Sequence, residues 1–350
     1  MKNTFIVLLF PIWSCLASAQ NLPRVIILAT GGTIAGQGKS AASAGYIPGK
    51  LPIEDLLKNI PEATKIAEVK GEQIASIGSY DMTIDIWIKL ARRITEIFAR
   101  NEADGVVITH GTNTLEETAY FLNLTLKSDN PVVLTGSMRP PTAISADGPK
   151  NLYDAIVVAI DSQSKRKGVM VCFNETLYDG KNVIKANTTN VNAFSSPNTG
   201  PIGQVYDGRV IFYSQPLNRK TNNTPFDVSK LDTLPKVEIA YTYVGASASA
   251  IKAFINDRVD GLIIAGSGDG AFNTPMLQAV DTAVKHGIVV VRSSRVASGR
   301  VTQFQQVFDD KKLGTIASDD LNPQKARILL MLALTVTKDI NKIQEMFLEY

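Results

Sequence analysis

Short apolar runs alternate with helical patterns along most of the chain. Seven runs fit buried strands, and they cover residues 25–29, 105–109, 131–134, 168–173, 237–243, 261–265 and 288–291. Segments 87–100 and 151–160 are typical of the helices between such strands, since the first carries its apolar residues on one face. Strands this short and apolar suit a sheet that is covered on both faces. The alternation therefore predicts an α/β fold with a mainly parallel sheet and helices on both faces.

The alternation stops between residues 215 and 236, where the chain is polar, contains three prolines and has no periodicity. A chain of 350 residues is long enough for two domains. We expect a larger N-terminal domain at 20–214, a linker at 215–236, and a smaller doubly wound α/β domain at 237–350. In the last of these, Asn322 and Pro323 are expected to cap and open a helix.

Residues 1–19 have the pattern of an export signal. Lys2 is followed by an apolar stretch and then by Ala17-Ser18-Ala19, which fits cleavage after Ala19. A membrane anchor is the alternative, but the stretch is shorter than the roughly 20 apolar residues that a spanning helix needs. Lipid attachment at Cys15 is a weaker alternative. We expect a periplasmic or secreted protein with no membrane attachment after cleavage.

Charge and metal-ligating residues exclude several classes of partner. The 36 basic and 33 acidic residues give a net charge of +3, with no basic run that would follow phosphates, so nucleic acid is not an expected partner. Two histidines and no Cys/His cluster argue against a zinc site, and no cofactor is implied. Cys172, in an apolar run, is expected to be a buried small hydrophobe.

The stretch ILATGGTIAG, residues 27–36, places Gly32 and Thr33 at the end of a predicted strand. Glycines there let a backbone approach a ligand, which is how open α/β sheets bind small molecules. A dinucleotide site is an alternative, but the G-x-G-x-x-G spacing is absent. The glycines at 266–270 also lack that spacing and predict a tight turn.

The stretch VVITHGTNTLEETAYF, residues 106–121, places further threonines at a second strand end. A plain capped helix would explain it alone, but two threonine-rich strand ends favour a site. His110 is expected to order the turn. A threonine hydroxyl is a weak nucleophile until a base takes its proton, and Lys185 and Tyr46 are available. A lysine acts as a base only when burial or a cationic neighbour lowers its pKa.

These motifs resemble those of the bacterial type II L-asparaginases and glutaminase-asparaginases. The likeness covers nearly all of the chain after the signal. Beside the two stretches above, it rests on VKGEQIASIGS (69–79), TGSMRP (135–140), SADGPKNLYDA (145–155), FDVSKLDTLPKV (226–237), VRSSRV (291–296) and LNPQKARILLMLALT (321–335). The resemblance implies a homotetramer of two intimate dimers, with each active site between subunits. It also implies hydrolysis of an amino-acid side-chain amide without a cofactor.

The resemblance assigns roles to several residues. Thr33 corresponds to the nucleophile, Tyr46 to the loop residue that completes the site, and Thr112 with Lys185 to the pair that activates the attacking group or water. Backbone N–H groups near both threonines would stabilise the oxyanion. Two further positions are implied to contact substrate: Ser79 at the α-carboxylate and Ser137 near the side-chain amide.

Three positions depart from the family pattern around the substrate α-ammonium group. Asn113 stands where the family has aspartate, Tyr80 where it has Gln or Glu, and Gln306 near the glutamate that the neighbouring subunit supplies. Asp269, conversely, replaces the usual asparagine of a G-N-G turn. Two hypotheses follow. In one, Asp269 supplies the missing anion and asparagine remains the substrate. In the other, the ammonium site is lost, and the protein is a weak asparaginase, acts on another amide or only binds an amino acid.

Overall fold

The computed structural model describes residues 21–42, 45–303 and 308–350. The predicted signal peptide at 1–19, with Cys15, and the predicted substrate contact Gln306 lie outside the described residues. The strands are β1 Arg24–Gly31, β2 Gln37–Gly38, β3 Tyr46–Ile47, β4 Glu68–Ile77, β5 Gly105–Thr109, β6 Val132–Thr135, β7 Val169–Phe173, β8 Thr176–Asp179, β9 Ile184–Lys185, β10 Phe194–Ser195, β11 Gly203–Tyr206, β12 Arg209–Phe212, β13 Val237–Tyr241, β14 Gly261–Gly266, β15 Val289–Ser294 and β16 Thr315–Ala317. The helices are α1 Ile53–Lys58, α2 Ile84–Ala99, α3 Leu115–Thr125, α4 Gly148–Ile160, α5 Ser249–Asn256, α6 Thr274–Lys285, α7 Asp310–Leu313, α8 Pro323–Leu334 and α9 Ile340–Glu349.

The N-terminal part is built on one large sheet, whose strand order is β12-β11-β8-β7-β6-β5-β1-β4. Strands β4, β1, β5, β6 and β7 run parallel, while β8, β11 and β12 extend one edge in antiparallel pairs. In this order β6, β5, β1 and β4 are neighbours, so their carboxyl ends lie side by side. The sheet is mainly parallel, as the sequence predicts.

Side chains of alternate residues on β1 and β5 enter two different cores. Ile26 and Leu28 pack with helices α2 and α3 on one face, while Val25 and Ile27 pack with α1 and α4 on the other. All four side chains are buried. Because neighbouring side chains in a strand point to opposite faces, a strand covered by helices on both sides must be apolar throughout. The continuous apolar runs therefore predict this layered arrangement correctly.

The C-terminal part is a smaller doubly wound α/β unit. Its parallel sheet has the order β13-β14-β15-β16, with α5 and α6 on one face and α8 on the other. Asn322 caps α8 by accepting the Lys325 N–H at 3.0 Å, and Pro323 occupies its first turn, which confirms that prediction. The sequence predicts three of these strands but not β16, a run of only three residues.

The segment 215–236 contains one 3₁₀ turn, at Thr221–Asn223, and otherwise neither helix nor strand. Within the described ranges, no helix is both long enough and apolar enough to span a bilayer. Those same ranges contain no group of three His, Cys, Asp or Glu side chains placed to hold a metal ion. Cys172 is fully buried, and burial raises the pKa of its thiol well above the usual value.

Candidate active site

The carboxyl ends of β1 and β5 pack backbone against backbone. Gly31 ends β1 and Gly32 follows it, with φ values of 107° and 80° that favour glycine. A Cβ on Gly32 would lie 2.4 Å from the Cα of Gly111, in the turn that follows β5. The glycines thus let two strand-end turns approach each other closely. This contact brings the segments that carry Thr33 and Thr112 together.

Thr33 lies in the short 3₁₀ turn after β1, and its hydroxyl forms a hydrogen bond with the Tyr46 phenol. The Thr33 Oγ1 is 2.6 Å from the Tyr46 Oη, and either oxygen can be the donor. Tyr46 lies on β3, which pairs with β2 in a small antiparallel ribbon over the strand end. Thr33 is buried, whereas Tyr46 is 38% exposed. The structure therefore brings these two predicted residues into direct contact, with the phenol at the mouth of the site.

Thr112, in the turn after β5, forms a hydrogen bond with Lys185. The Lys185 Nζ lies 2.8 Å from the Thr112 Oγ1 and 2.8 Å from the Asn113 Oδ1. Burial lowers the pKa of Lys185, and the negative charge of Glu116 opposes part of that shift. A lysine with a lowered pKa loses its proton more readily, as a base requires. The predicted Thr112–Lys185 pair is thus assembled in the fold.

Glu116, at the start of α3, fixes the main chain of Lys185. Its Oε2 accepts the Lys185 backbone N–H at 2.5 Å, and its Oε1 accepts from Asn322 Nδ2 at 3.1 Å and Gln324 Nε2 at 2.7 Å. Its partners on α8 are over 200 residues away, and nothing in the local pattern indicates them.

Lys325, on the same helix, holds the segment just before Lys185. Its fully buried ammonium donates to the Lys181 carbonyl at 2.6 Å and also to the Val183 carbonyl. Together with the Glu116 contacts, these bonds attach the lysine-bearing strand to the C-terminal domain. The LNPQKA motif therefore contributes to the site without lining it, which its sequence does not reveal.

His110 is buried and neutral. Desolvation lowers its pKa to about 4. Its Nδ1 lies 2.7 Å from the Gly111 carbonyl, which can only accept, so the proton is on Nδ1. The Nε2 then accepts from the Thr118 hydroxyl at 2.9 Å, and that hydroxyl accepts from the Trp87 Nε1 at 2.7 Å. With both nitrogens bonded, His110 orders the turn, as the sequence predicts.

Ser79 follows β4, at the strand end next to Thr33. Its Oγ accepts the Asn113 N–H at 3.1 Å, and its carbonyl accepts from the Thr114 hydroxyl at 2.7 Å. Tyr80, the next residue, is 66% exposed. Ser137 follows β6 but is fully buried, and its hydroxyl donates to the Arg139 carbonyl at 2.7 Å. Ser79 and Tyr80 therefore reach the cleft, whereas the Ser137 hydroxyl is engaged within its own loop.

Two adjoining cavities meet at the threonines. The larger is about 610 Å³ and the smaller about 140 Å³. Both are lined by Thr33, Tyr46, Thr112 and Asn113. Gly32, Ser79 and Tyr80 line the smaller one, and Lys185 and Arg139 line the larger one. Among the described residues, no carboxylate lines either cavity. The shared lining therefore places two threonine hydroxyls, a phenol and an amide around one space.

Asp269 lies in the tight turn after β14 that the sequence predicts. Its carboxylate oxygens accept the Thr302 N–H at 2.7 Å and the Thr302 hydroxyl at 2.9 Å. It lines neither cavity of the single chain.

Fold and cleft define the class: a two-domain α/β protein with two threonines, one beside a phenol and one beside a lysine, at the carboxyl edge of a parallel sheet. More particularly, the chain belongs to the asparaginase family. A family model described as "Asparaginase, N-terminal" matches residues 24–218, and one described as "Glutaminase/Asparaginase C-terminal domain" matches residues 236–347. The family resemblance found in the motifs is thereby confirmed.

Individual relatives are similar over almost their whole length. "L-asparaginase 2" of Escherichia coli is 50% identical over 333 residues, or 95% of each chain. "Probable L-asparaginase periplasmic" of Haemophilus influenzae is 48% identical over 352 residues, or 100% of each chain. The solved structure titled "Probable Cytoplasmic L-asparaginase" from Campylobacter jejuni superposes with a TM-score of 0.91 at 50% identity, covering 94% of this chain and 100% of that one.

Proposed function

We propose that the protein is an amidohydrolase that converts L-asparagine to L-aspartate and ammonia, with L-glutamine as a second substrate. The observation that carries the proposal is the pairing of each cleft threonine with a proton-transfer group. Thr33 lies 2.6 Å from the Tyr46 phenol, and Thr112 lies 2.8 Å from the Lys185 amine. The names of the relatives and of the two family models support the same reaction class.

In the first half of the reaction, the Thr33 oxygen attacks the side-chain amide carbon. The hydroxyl proton passes to a neighbouring group, and Tyr46 is the residue in direct contact. Backbone N–H groups near Thr33 and Thr112 stabilise the developing oxyanion, a contribution usually worth a few kcal/mol per donor. The C–N bond then breaks, the leaving nitrogen takes a proton, and ammonia departs. An ester between Thr33 and the acyl group remains.

In the second half, water replaces ammonia. Lys185, acting through Thr112, accepts a proton from the attacking water, so that a hydroxide equivalent adds to the ester carbon. Collapse of the second tetrahedral intermediate breaks the bond to the Thr33 oxygen, which recovers its proton. The products are a free carboxylate and the starting enzyme. The lowered pKa of Lys185 favours this role because a protonated amine cannot accept.

Hydrolysis of another amide is the second candidate, and Asn113 is the observation that favours it. The Asn113 Oδ1 accepts a hydrogen bond from the Lys185 amine. The remaining group of the side chain is an NH₂, which donates hydrogen bonds and offers no negative charge to a substrate ammonium. Losing one partner of a desolvated ion pair costs about 2 to 5 kcal/mol. If the substrate ammonium is no longer recognised, a desamino amide becomes the better substrate. A protein that only binds amino acids has no use for the two activated threonines.

Ammonia release from the purified mature chain tests the reaction. We expect turnover of L-asparagine above that of L-glutamine and of succinamate, the desamino analogue. Hydroxylamine added during turnover should capture the acyl group as a hydroxamate, and Thr33→Ala should remove both signals. Preference for succinamate would favour the second candidate, and silence on all three compounds would leave only binding.

Asp269 separates the two substrate hypotheses. If it supplies the anion for the ammonium group from a second subunit, Asp269→Asn should abolish asparagine turnover. If the ammonium site is lost, the same substitution should change turnover little. Because Asp269 also accepts both Thr302 donors, the melting temperature of the variant must be measured alongside.

We further propose export and assembly. Residues 1–19 act as a signal peptide, the mature protein is periplasmic or secreted, and it forms a homotetramer of two intimate dimers in which Asp269 and Gln306 reach the neighbouring active site. One relative is named periplasmic and one structure is titled cytoplasmic, so cell fractionation of the chain with and without 1–19 is needed. Light scattering of the mature chain measures the assembly.

A further inference from the structure

The larger cavity beside the threonines has far more room than a primary amide needs. Its volume is about 610 Å³, whereas that of the smaller cavity is about 140 Å³. Ammonia, the leaving group of the proposed reaction, is about as large as a water molecule, which occupies roughly 30 Å³ in the liquid. Cavities of about 300 to 1,000 Å³ typically hold a whole small molecule. Most of the larger cavity therefore stays unfilled when ammonia is the leaving group.

The two cavities adjoin at the reacting groups, and the rest of their linings are separate. The shared residues are Thr33, Tyr46, Thr112 and Asn113. Ser79, the implied contact of the substrate α-carboxylate, lines only the smaller cavity. With the amino-acid end of the substrate in the smaller cavity, the group on the other side of the scissile C–N bond faces the larger one. The larger cavity is therefore the space for a leaving group larger than ammonia.

One wall of the larger cavity is apolar and comes from the loop after β6. This apolar wall consists of Met138, Pro140, Ala143 and Ile144. The Ile144 side chain is 68% exposed, so it offers aliphatic surface to a molecule in the cavity. Covering such surface with another apolar group is favourable, because it removes both from water. The apolar wall therefore favours a leaving group that carries an aliphatic side chain.

The charged group beside the apolar wall is the Arg139 guanidinium. Arg139 is exposed and lines the larger cavity, and its Nη1 donates to the Ser145 carbonyl at 2.9 Å. Its backbone N–H donates to the Asp147 Oδ1 at 2.9 Å, which fixes the start of the side chain. No carboxylate among the described residues pairs with this guanidinium or lines the cavity. Its other N–H groups can therefore bind the carboxylate of a ligand, the group that an arginine fork fits.

We propose that the protein also hydrolyses β-aspartyl peptides, in which the side-chain carbonyl of aspartate is joined to the α-amino group of an aliphatic amino acid. The leaving amino acid lies in the larger cavity, with its side chain against the apolar wall and its α-carboxylate on Arg139. The inference rests on the proposed function for the threonine chemistry. It adds a second class of substrate to the same site.

The reaction follows the steps of amide hydrolysis with a different amine. The Thr33 oxygen adds to the β-carbonyl carbon, and its proton passes to a neighbouring group. The C–N bond breaks, the leaving nitrogen takes one proton, and the free amino acid departs in place of ammonia. Water then cleaves the Thr33 ester, which releases L-aspartate and restores the hydroxyl. Water is the only co-reactant that the reaction consumes.

The first test compares three substrates of the wild-type mature protein. They are L-asparagine, β-aspartyl-leucine, and the β-isopentylamide of L-aspartate, whose leaving amine has the carbon skeleton of leucine without the carboxylate. Chromatography measures the released leucine or isopentylamine, and ammonia release measures asparagine turnover. We expect hydrolysis of β-aspartyl-leucine, with a kcat/KM about tenfold or more above that of the isopentylamide. A hydrogen-bonded contact to a charged group is usually worth at least that factor.

The second test removes the guanidinium with Arg139→Gln and uses Lys39→Gln as the matched control. Lys39 is an exposed cation directly after β2, and it does not line the cavity. Arg139→Gln should lower the ratio of kcat/KM for β-aspartyl-leucine to that for L-asparagine about tenfold or more. The same ratio for the isopentylamide should move no more than a few fold. Arg139→Lys should restore part of the loss, and Lys39→Gln should change neither ratio.

The outcomes separate this inference from the proposed function. Turnover of L-asparagine without turnover of β-aspartyl-leucine would overturn the inference and leave the proposed function standing. If neither compound is hydrolysed, the proposed function fails and the inference fails with it. Equal kcat/KM values for the peptide and the isopentylamide in the wild-type protein would overturn the role of Arg139. That comparison needs no variant, so it still decides the matter if Arg139→Gln does not fold.

Discussion

The Glu116 carboxylate accepts the backbone N–H of Lys185 at 2.5 Å, although 68 residues separate them in the chain. The other oxygen of Glu116 accepts from Asn322 and Gln324 at the start of α8. One buried side chain therefore joins the helix after Thr112, the strand that carries the lysine, and the C-terminal domain. The position of the amine depends on this junction as well as on its own contacts.

Glu116→Gln should weaken both the site and the fold. A glutamine has one acceptor oxygen, so its NH₂ group must face at least one of the three donors. We expect a loss of about 1 to 3 kcal/mol in the free energy of unfolding, by the usual cost of an unsatisfied buried polar group. We also expect roughly a tenfold or greater fall in kcat, since small displacements of catalytic groups are costly. Urea denaturation and steady-state kinetics measure the two effects.

The pH profile distinguishes the charge of Glu116 from its structural role. Because Glu116 raises the pKa of Lys185, neutralising Glu116 should move the acid limb of kcat to lower pH. Glu117→Gln is the matched control, since Glu117 is adjacent but hydrogen-bonds to none of the described groups. It should change kcat by no more than a few fold. An upward shift in Glu116→Gln would contradict this assignment.

The strand ends could be predicted from the sequence because their determinants are local. Continuous apolar runs predict β1 and β5, and the polar turns that follow them indicate a site rich in threonines, from which the family resemblance selects Thr33 and Thr112. In contrast, β4 was missed because its residues alternate between exposed and half-buried, at the edge of the sheet. Edge strands lack the apolar signature of strands that are covered on both faces.

The residues that hold Lys185 in place could not be predicted from the sequence, because their contacts join distant parts of the chain. Glu116 and Glu117 are adjacent acidic residues in the first turn of α3. Only the tertiary packing buries Glu116 and surrounds its carboxylate with three hydrogen-bond donors. Likewise, nothing in the local pattern shows that Lys325 will hold the carbonyls before Lys185. The same limit applies to Asp269: its turn is predicted, but the sequence does not show whether its carboxylate reaches the cavities at the threonines, and among the described residues it lines neither of them.

Tyr46→Phe should remove catalysis while leaving the fold intact. The substitution deletes the oxygen that lies 2.6 Å from the Thr33 Oγ1 and keeps the ring. General acid or base groups typically contribute 10²–10⁴-fold, so we expect kcat to fall by about 10²-fold or more. Tyr206→Phe, at an exposed position on β11, is the control and should be neutral. Retention of activity in Tyr46→Phe would show that another group moves the Thr33 proton.

Gly32→Ala should destabilise the protein far more than a comparable glycine elsewhere. Gly32 and Gly245 have similar φ values, 80° and 76°. A Cβ on Gly32 would lie 2.4 Å from the Gly111 Cα, whereas a Cβ on Gly245 meets nothing within 4 Å. Gly245→Ala should therefore cost about 1 to 2 kcal/mol from backbone strain alone. Gly32→Ala adds a steric overlap and should cost several kcal/mol more, as urea denaturation can measure. Equal costs would mean that the two turns can separate without penalty.

His110 should make stability fall as the pH drops below about 6.5. Its pKa is lowered from 6.5 to about 4 because the charged form is buried without solvent. In the unfolded chain the ring gains its proton near the ordinary value, so between about 6.5 and 4 the unfolded state binds more protons. Unfolding therefore becomes easier as pH falls through that window. The full effect is about 3 kcal/mol, from about 1.4 kcal/mol for each unit of pKa.

The chain has two histidines, which makes a direct test of His110 practical. His286→Gln removes the exposed ring, so the remaining imidazole C2 proton signal in the NMR spectrum belongs to His110. We expect that signal to stay at the position of neutral imidazole from pH 8 to 5. The proton on Nδ1 bonds to the Gly111 carbonyl, and Nε2 accepts from Thr118, so there is no room for a second proton without breaking the Thr118 bond. A titration midpoint near 6.5 would show that the turn after β5 opens to solvent in the native protein.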